Sequence, residues 1–335
     1  MNFNDFVGQE KIKSTLKDII QSGKLSHAYM FEGADGMGKS TLARIFAQAA
    51  LCRNFEKAPC GECSSCTKLS NSNHPDFYTI SPKGLSIGVD EVRKLQENII
   101  IKPIESEKKV YIIEQADKMT EQAQNCLLKT LEEPPGDSLL ILCVQSTANM
   151  LKTIKSRCVS LKFDIYKDEE IKAVLRMHDI DNEESLELAS VFSQGILSKA
   201  FLVVSEEFMR VREEIICFLS NLHGSRIEDL LKTASYLDSK KEFIQHIFDI
   251  ISSWYRDLAV YKVCGNDRLL INLDKKDIIL KNIKNYSERD IVQIIKKVEE
   301  SRRDIRRNVN LPIVIDNMLI GFWEVVNDKS CRSAV

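Results

Sequence analysis

Ala28-Tyr29-Met30-Phe31, then Glu32, then Gly33-Ala34-Asp35-Gly36-Met37-Gly38-Lys39-Ser40 decide the fold of this chain. The first four residues are a short apolar run of strand character. The last eight fit the phosphate-loop pattern at every specified position. From Ser40 to Leu51, Leu42, Ile45, Phe46 and Ala49 recur at helical spacing. Strand, glycine-rich loop and amphipathic helix, in that order, aim backbone N–H groups and a helix N-terminus at an anion. Lys39 is expected to reach terminal phosphates and the Ser40 hydroxyl to ligate magnesium. Gly33, Gly36, Gly38, Lys39 and Ser40 are therefore the expected nucleotide contacts, with ATP and Mg as possible ligands.

Downstream, the same logic meets a defect. Val110-Tyr111-Ile112-Ile113 reads as the buried strand that should end in two acids, one for magnesium and one to activate water. It ends instead in Glu114-Gln115. Glu114 is one methylene longer than the usual Asp and is the expected metal-side acid of the site. Gln115 can orient a water but cannot take its proton. Asp117 lies past the strand end. The expectation is weak or absent ATP hydrolysis by the chain alone.

Further strands are expected at Phe77-Tyr78-Thr79-Ile80, at Leu139 to Val144 and at Val159 to Phe163. Helices are expected at 89–99, at about 120–132 before Pro134-Pro135, and just before Ser156. Near-continuous apolar strands separated by helices imply a parallel sheet covered on both faces. After about residue 165 the strand signal fades. Residues 166–207 read as a small helical unit with a turn at Ser193-Gln194-Gly195, and 208–335 as an all-helical domain in which Trp254 and Trp323 are packing residues. The tail after Asn327 reads as frayed.

The chain has 335 residues, enough for two or three domains. A net charge of −2 provides no global attraction for nucleic acid or an anionic membrane. The start lacks the basic and apolar segments of a signal peptide, and no apolar run approaches a membrane span, so a soluble, cytoplasmic protein is expected. Of ten cysteines, four are clustered: Cys60, Cys63 and Cys66 in two consecutive C-x-x-C spacings, with Cys52 eight residues upstream. Four thiolates so spaced suit a structural zinc, with an iron–sulfur cluster as the rival and free thiols as the plain alternative. His74 could substitute for a ligand. Arg157, in Ser156-Arg157-Cys158 before the last strand, could reach a neighbour's γ-phosphate in trans; taken alone, such an arginine is usually a surface residue.

Taken together, these features resemble the delta-prime family of bacterial DNA polymerase III clamp-loader subunits, AAA+ type proteins, over essentially the whole length. Besides the loop, the cysteines and Ser156-Arg157-Cys158, the resemblance rests on Val7-Gly8-Gln9, Ser26-His27-Ala28-Tyr29, His74-Pro75-Asp76, Gly84-Leu85-Ser86-Ile87 running into Val89-Asp90-Glu91-Val92-Arg93, Leu127-Leu128-Lys129-Thr130-Leu131-Glu132-Glu133-Pro134, and Arg306-Arg307-Asn308-Val309-Asn310. It implies an α/β AAA+ P-loop domain at 1–165 with a zinc knuckle at 52–66, a helical lid at 166–207 and an all-α collar at 208–335. It implies a hetero-pentamer with a tau/gamma ATPase subunit on one side and a delta subunit on the other, acting on the sliding clamp and primer-template DNA, away from any membrane. It also implies that Arg157 completes the neighbour's ATP site and that Cys52, Cys60, Cys63 and Cys66 hold structural zinc. The motor subunit, tau/gamma, is the nearest competitor. Against it stand Glu114-Gln115 for Asp-Glu, Val144-Gln145 where a polar sensor belongs, and Ser198 where a lid arginine belongs. A zinc-containing nucleic-acid adaptor is a third reading, though the knuckle lacks interleaved basic and aromatic residues.

Overall fold

The structure, a computed structural model, describes residues 2–82, 84–135 and 137–327; the tail read as frayed lies outside them. It divides into two compact units, one of residues 1–178 with 193–199, the other of 179–192 with 200–335.

The first unit alternates helix and strand: α1 (Glu10–Ser22), β1 (Ala28–Glu32), α2 (Lys39–Ala50), α3 (Ser64–Ser70), β2 (Phe77–Ile80), α4 (Val89–Ile99), β3 (Lys109–Ile113), α5 (Glu121–Glu132), β4 (Ser138–Val144), α6 (Lys152–Lys155), β5 (Val159–Lys162) and α7 (Asp168–Arg176). The five strands form one parallel sheet in the order β2-β3-β4-β1-β5. β3 and β4 are buried at every position, which is why they read as unbroken apolar runs.

Alternation along β1 sends its side chains to two different layers. Ala28 and Met30 join Val92, Leu95, Leu127, Leu131 and Ile154 from α4, α5 and α6 on one face. Tyr29 and Phe31 point the other way, onto Phe46 of α2, with ring centroids 5.0 and 6.5 Å apart. The sheet is therefore covered on both sides, as expected for a P-loop α/β domain, and the loop after β1 emerges where the covering helix α2 begins.

The second unit is helical among the described residues: α8 (Glu183–Phe192), the end of α9 (Leu197–Val203), α10 (Glu206–Asn221), α11 (Ile227–Ser239), α12 (Ile244–Cys264), α13 (Lys276–Asn282), α14 (Glu288–Arg306) and α15 (Leu311–Asn327). α12 is its axis, packing on α10 and α14, while α15 packs on α11 and α14. Phe248, Trp254, Tyr255 and Leu258 of α12 are fully buried. Trp323 is half-buried and donates from Nε1 to Ser225 O at 2.9 Å, so both tryptophans pack as expected. The buried Arg212 of α10 forks onto both Asp274 oxygens at 2.7 and 2.8 Å and onto Asn272 Oδ1 at 2.8 Å. No described helix is long and apolar enough to cross a membrane.

Candidate nucleotide and metal sites

The glycine-rich loop leaves β1 with Gly33 N bonded to Val144 O and enters α2 through Gly38. Gly36 and Gly38 have φ of 78° and 80°, left-handed values that side chains rarely adopt. At Gly36 a Cβ would also sit 1.8 Å from Ser198 Oγ. The loop's carbonyls are held by donors from this chain. Ser198 N donates to Gly36 O at 3.1 Å, and Tyr166 Oη to Met37 O at 3.1 Å. Lys39 Nζ curls back to Gly33 O at 2.6 Å and Ala34 O at 2.7 Å, with Asp35 Oδ1 at 3.6 Å. Burial lowers the Lys39 pKa, against the opposing pull of Asp35. Gln9 holds the backbone two residues before Tyr166, its amide donating to Asp164 O at 2.6 Å and accepting from Asp164 N at 3.0 Å.

Lys39, Ser40 and Glu114 converge around Cys143 near the end of β4. Burial pushes this thiol up to about 12; Lys39 and a hydrogen bond with Ser40 act against that shift, and Glu114 adds to it. Glu114 is half-buried, with Arg44 Nη2 of α2 at 3.8 Å from its Oε1. Gln115 follows in a left-handed conformation, φ 50°, which turns the chain away from the strand. Asp117 is engaged elsewhere, accepting from Gln145 N at 3.0 Å. After β4, Thr147 donates from N and Oγ1 to Glu32 at 3.4 and 3.2 Å. Cys143, Arg44, Tyr166 and Thr147 were not foreseen. None carries a local signal, because each acts through a contact distant in sequence.

Cys52, Cys60, Cys63 and Cys66 come together, each Sγ within 4.8 Å of the other three. Cys52–Cys63 and Cys60–Cys66 are both 4.0 Å apart. Sulfurs about 2.3 Å from a tetrahedral ion would be roughly 3.8 Å from one another, so the four could close on a single metal ion with little movement. Backbone N–H groups already face the sulfurs: Cys60 N to Cys52, Cys63 N to Cys60 and Cys66 N to Cys63, at 3.4–3.5 Å. Burial works against ionising Cys63, but the N–H groups of Arg53 and Cys66 bring its pKa down to about 6. Burial pushes Cys52 and Cys66 up instead.

His74 is employed outside this group. Its Nδ1 accepts from Asp76 N at 3.1 Å, so its proton is on Nε2, facing Ser65 Oγ at 2.9 Å. Ser65 passes the bond to Leu51 O at 2.6 Å. Asp76, fully buried, accepts from Ile104 N, Glu105 N and Ser106 N at 2.7, 2.8 and 2.9 Å. The knuckle, β2 and the loop before β3 are thus tied together.

Ser156, Arg157 and Cys158 have separate roles. Ser156 Oγ donates to Thr153 O at 3.0 Å. Burial pushes the Cys158 thiol up to about 12, and Cys158 packs as a small apolar anchor against the core beneath the sheet. Arg157 stays partly exposed, donating to Thr153 O at 2.9 Å and pairing with Glu132 at 2.8 Å.

Residues 8–167 match the family described as DNA polymerase III, delta subunit, and residues 206–324 match its C-terminal counterpart. DNA polymerase III subunit delta' of Bacillus subtilis (strain 168) is 30% identical, covering 94% of this chain and 96% of that protein. Subunit tau of the same organism is also 30% identical, covering 99% of this chain but 62% of its own length. Among solved structures, a DNA polymerase III gamma subunit-related protein from Thermotoga maritima superposes with a TM-score of 0.48 at 20% identity, covering 93% of this chain and 99% of that one.

Proposed function

The chain belongs to the DNA polymerase III delta subunit family, and from that membership we propose that it serves as the delta-prime-type stator of a clamp loader, lending an arginine to a neighbour's ATP site rather than firing ATP itself. The observation that carries this reading is the pairing of an intact cradle with a disabled water-activating position. The loop keeps Lys39 and Ser40, whereas β3 runs into a Glu114 that faces Arg44 and then an amide at Gln115. An amide takes up no proton at neutral pH, so the base that an attacking water needs is absent from its usual place.

In the proposed assembly Arg157 meets the γ-phosphate of a tau/gamma-type ATPase neighbour, and a delta subunit contacts the other side. The hetero-pentamer acts on the sliding clamp and primer-template DNA in the cytoplasm. The chain's own loop binds ATP with Mg through Gly33, Gly36, Gly38, Lys39, Ser40 and Glu114, without efficient turnover. The knuckle holds one zinc through Cys52, Cys60, Cys63 and Cys66; the compact sulfur spacing favours a single ion over a larger iron–sulfur core. The division into a P-loop domain (1–165), a lid (166–207) and a collar (208–335) belongs to the same proposal.

A tau/gamma-type motor is the second reading, favoured by similarity to a tau subunit over 99% of the chain. ATP turnover by the isolated chain separates the two, and replacing Arg157 tests the trans role. In a reconstituted loader, Arg157→Ala is expected to leave assembly intact and lower ATP turnover by up to ~10³ or more. Unchanged turnover with Arg157→Ala would remove the trans role.

A further inference from the structure

Helix α5 ends against its own local preference. Its last residue is Glu132, followed by Glu133 and Pro134, so two acids are at the end where the backbone dipole is negative and a cation is favoured. Local rules broken in this way tend to mark functional positions. The last turn of α5 carries one cation of its own, Lys129, and Glu132 takes a second from another element: Arg157, just past α6, donates from Nη2 to Glu132 Oε1 at 2.8 Å. On its other terminal nitrogen the same guanidinium donates to Thr153 O at 2.9 Å and reaches Ser156 Oγ at 3.4 Å. A guanidinium has five N–H groups, so these three contacts leave two for an incoming phosphate. The Arg157 side chain keeps 34% of its exposure, enough for a partner to reach it.

We propose that Glu132 is the positioning residue of the Arg157 finger. Its carboxylate, working against Thr153 O, presents the guanidinium at the surface in a set orientation, so that it enters a neighbour's nucleotide site without first losing rotamer freedom. The inference rests on the trans-arginine reading above. It does not depend on the pair's contribution to folding, since partly exposed ion pairs contribute little stability.

The test is a double-mutant cycle in the full reconstituted complex, following steady-state ATP hydrolysis with clamp and primed DNA present. Glu132→Ala is expected to lower kcat about tenfold, short of the loss from Arg157→Ala, with KM for ATP and the melting temperature of the free subunit unchanged. Glu132→Gln, which keeps an acceptor oxygen at the same reach, should recover most of the rate. In an Arg157→Ala background Glu132→Ala should cost nothing further. If Arg157→Ala lowers kcat but Glu132→Ala does not, the positioning role is overturned and the finger survives. If Glu132→Ala costs the same with Arg157 absent, it acts elsewhere and the proposal is again overturned. If Arg157→Ala itself changes nothing, the finger reading fails first and Glu132 falls with it.

Discussion

Asp76 carries three backbone N–H groups on one buried carboxylate, and those bonds join the knuckle side of the sheet to the loop before β3. Burial alone would raise its pKa; the bonds from Ile104, Glu105 and Ser106 outweigh burial and hold it below the usual carboxylate range. A depressed native pKa contributes stability that is complete above the unfolded value of about 3.9 and is lost as pH falls through the native one. His74 acts in the same direction at higher pH. Burial lowers its pKa, so its contribution begins to fade as pH drops below about 6.5. Asp76→Asn, which puts an amide donor among donors, should cost roughly 2–4 kcal/mol near neutral pH in denaturant titrations. It should also flatten the acid limb of the stability profile below about pH 4. Lys39 and Ser40 were legible in the sequence because a short pattern fixes their chemistry. Asp76 was visible only as part of a resemblance, since its partners are 28–30 residues away and no local spacing encodes them.

At the scale of elements, periodicity read most strands and helices of the sheet domain, and the helices it missed lack the usual start signals. The helix expected at 40–51 runs over 39–50, and Thr120 proves to be the N-cap of α5, its hydroxyl accepting from Ala123 N at 3.2 Å. α1 went unread although it is amphipathic; it opens on Gln9 in a left-handed conformation with no capping side chain, so it lacks the usual start signal. α3 has only seven residues, too few for a period, and its N-cap is Cys63, a residue type outside the usual capping set. The metal spacing was more legible than the helix that carries part of it. Purified protein is expected to contain one zinc per chain by metal analysis, and Cys63→Ser should lose it and lower the melting temperature. Iron, with visible absorbance, would overturn that assignment.

Over the whole molecule, the class of sheet followed from its buried strands, but the strand order did not, because pairing between distant strands leaves no mark on either one. The helical half was legible as helical; its bonding was not. Arg212 is fully buried and bound by Asp274 and Asn272. Arg212→Ala should therefore cost about 2–3 kcal/mol, measured by chemical denaturation, since it removes a fully buried side chain and leaves the buried Asn272 Oδ1 without its donor, while Asp274 stays partly exposed beside Lys275. The isolated chain should release phosphate from ATP at a negligible rate, yet show a thermal shift on adding nucleotide, about 2.7 kcal/mol of stabilisation at a hundredfold excess over Kd. Robust turnover abolished by Lys39→Ala would favour the motor reading instead. Lys39 also bears on how fast a nucleotide can enter. Its ammonium already makes two short bonds to Gly33 O and Ala34 O, so a triphosphate must displace an internal cation rather than fill a void. Association then includes an activated side-chain swing, and its rate constant should fall below that of simple diffusional encounter even where affinity is high.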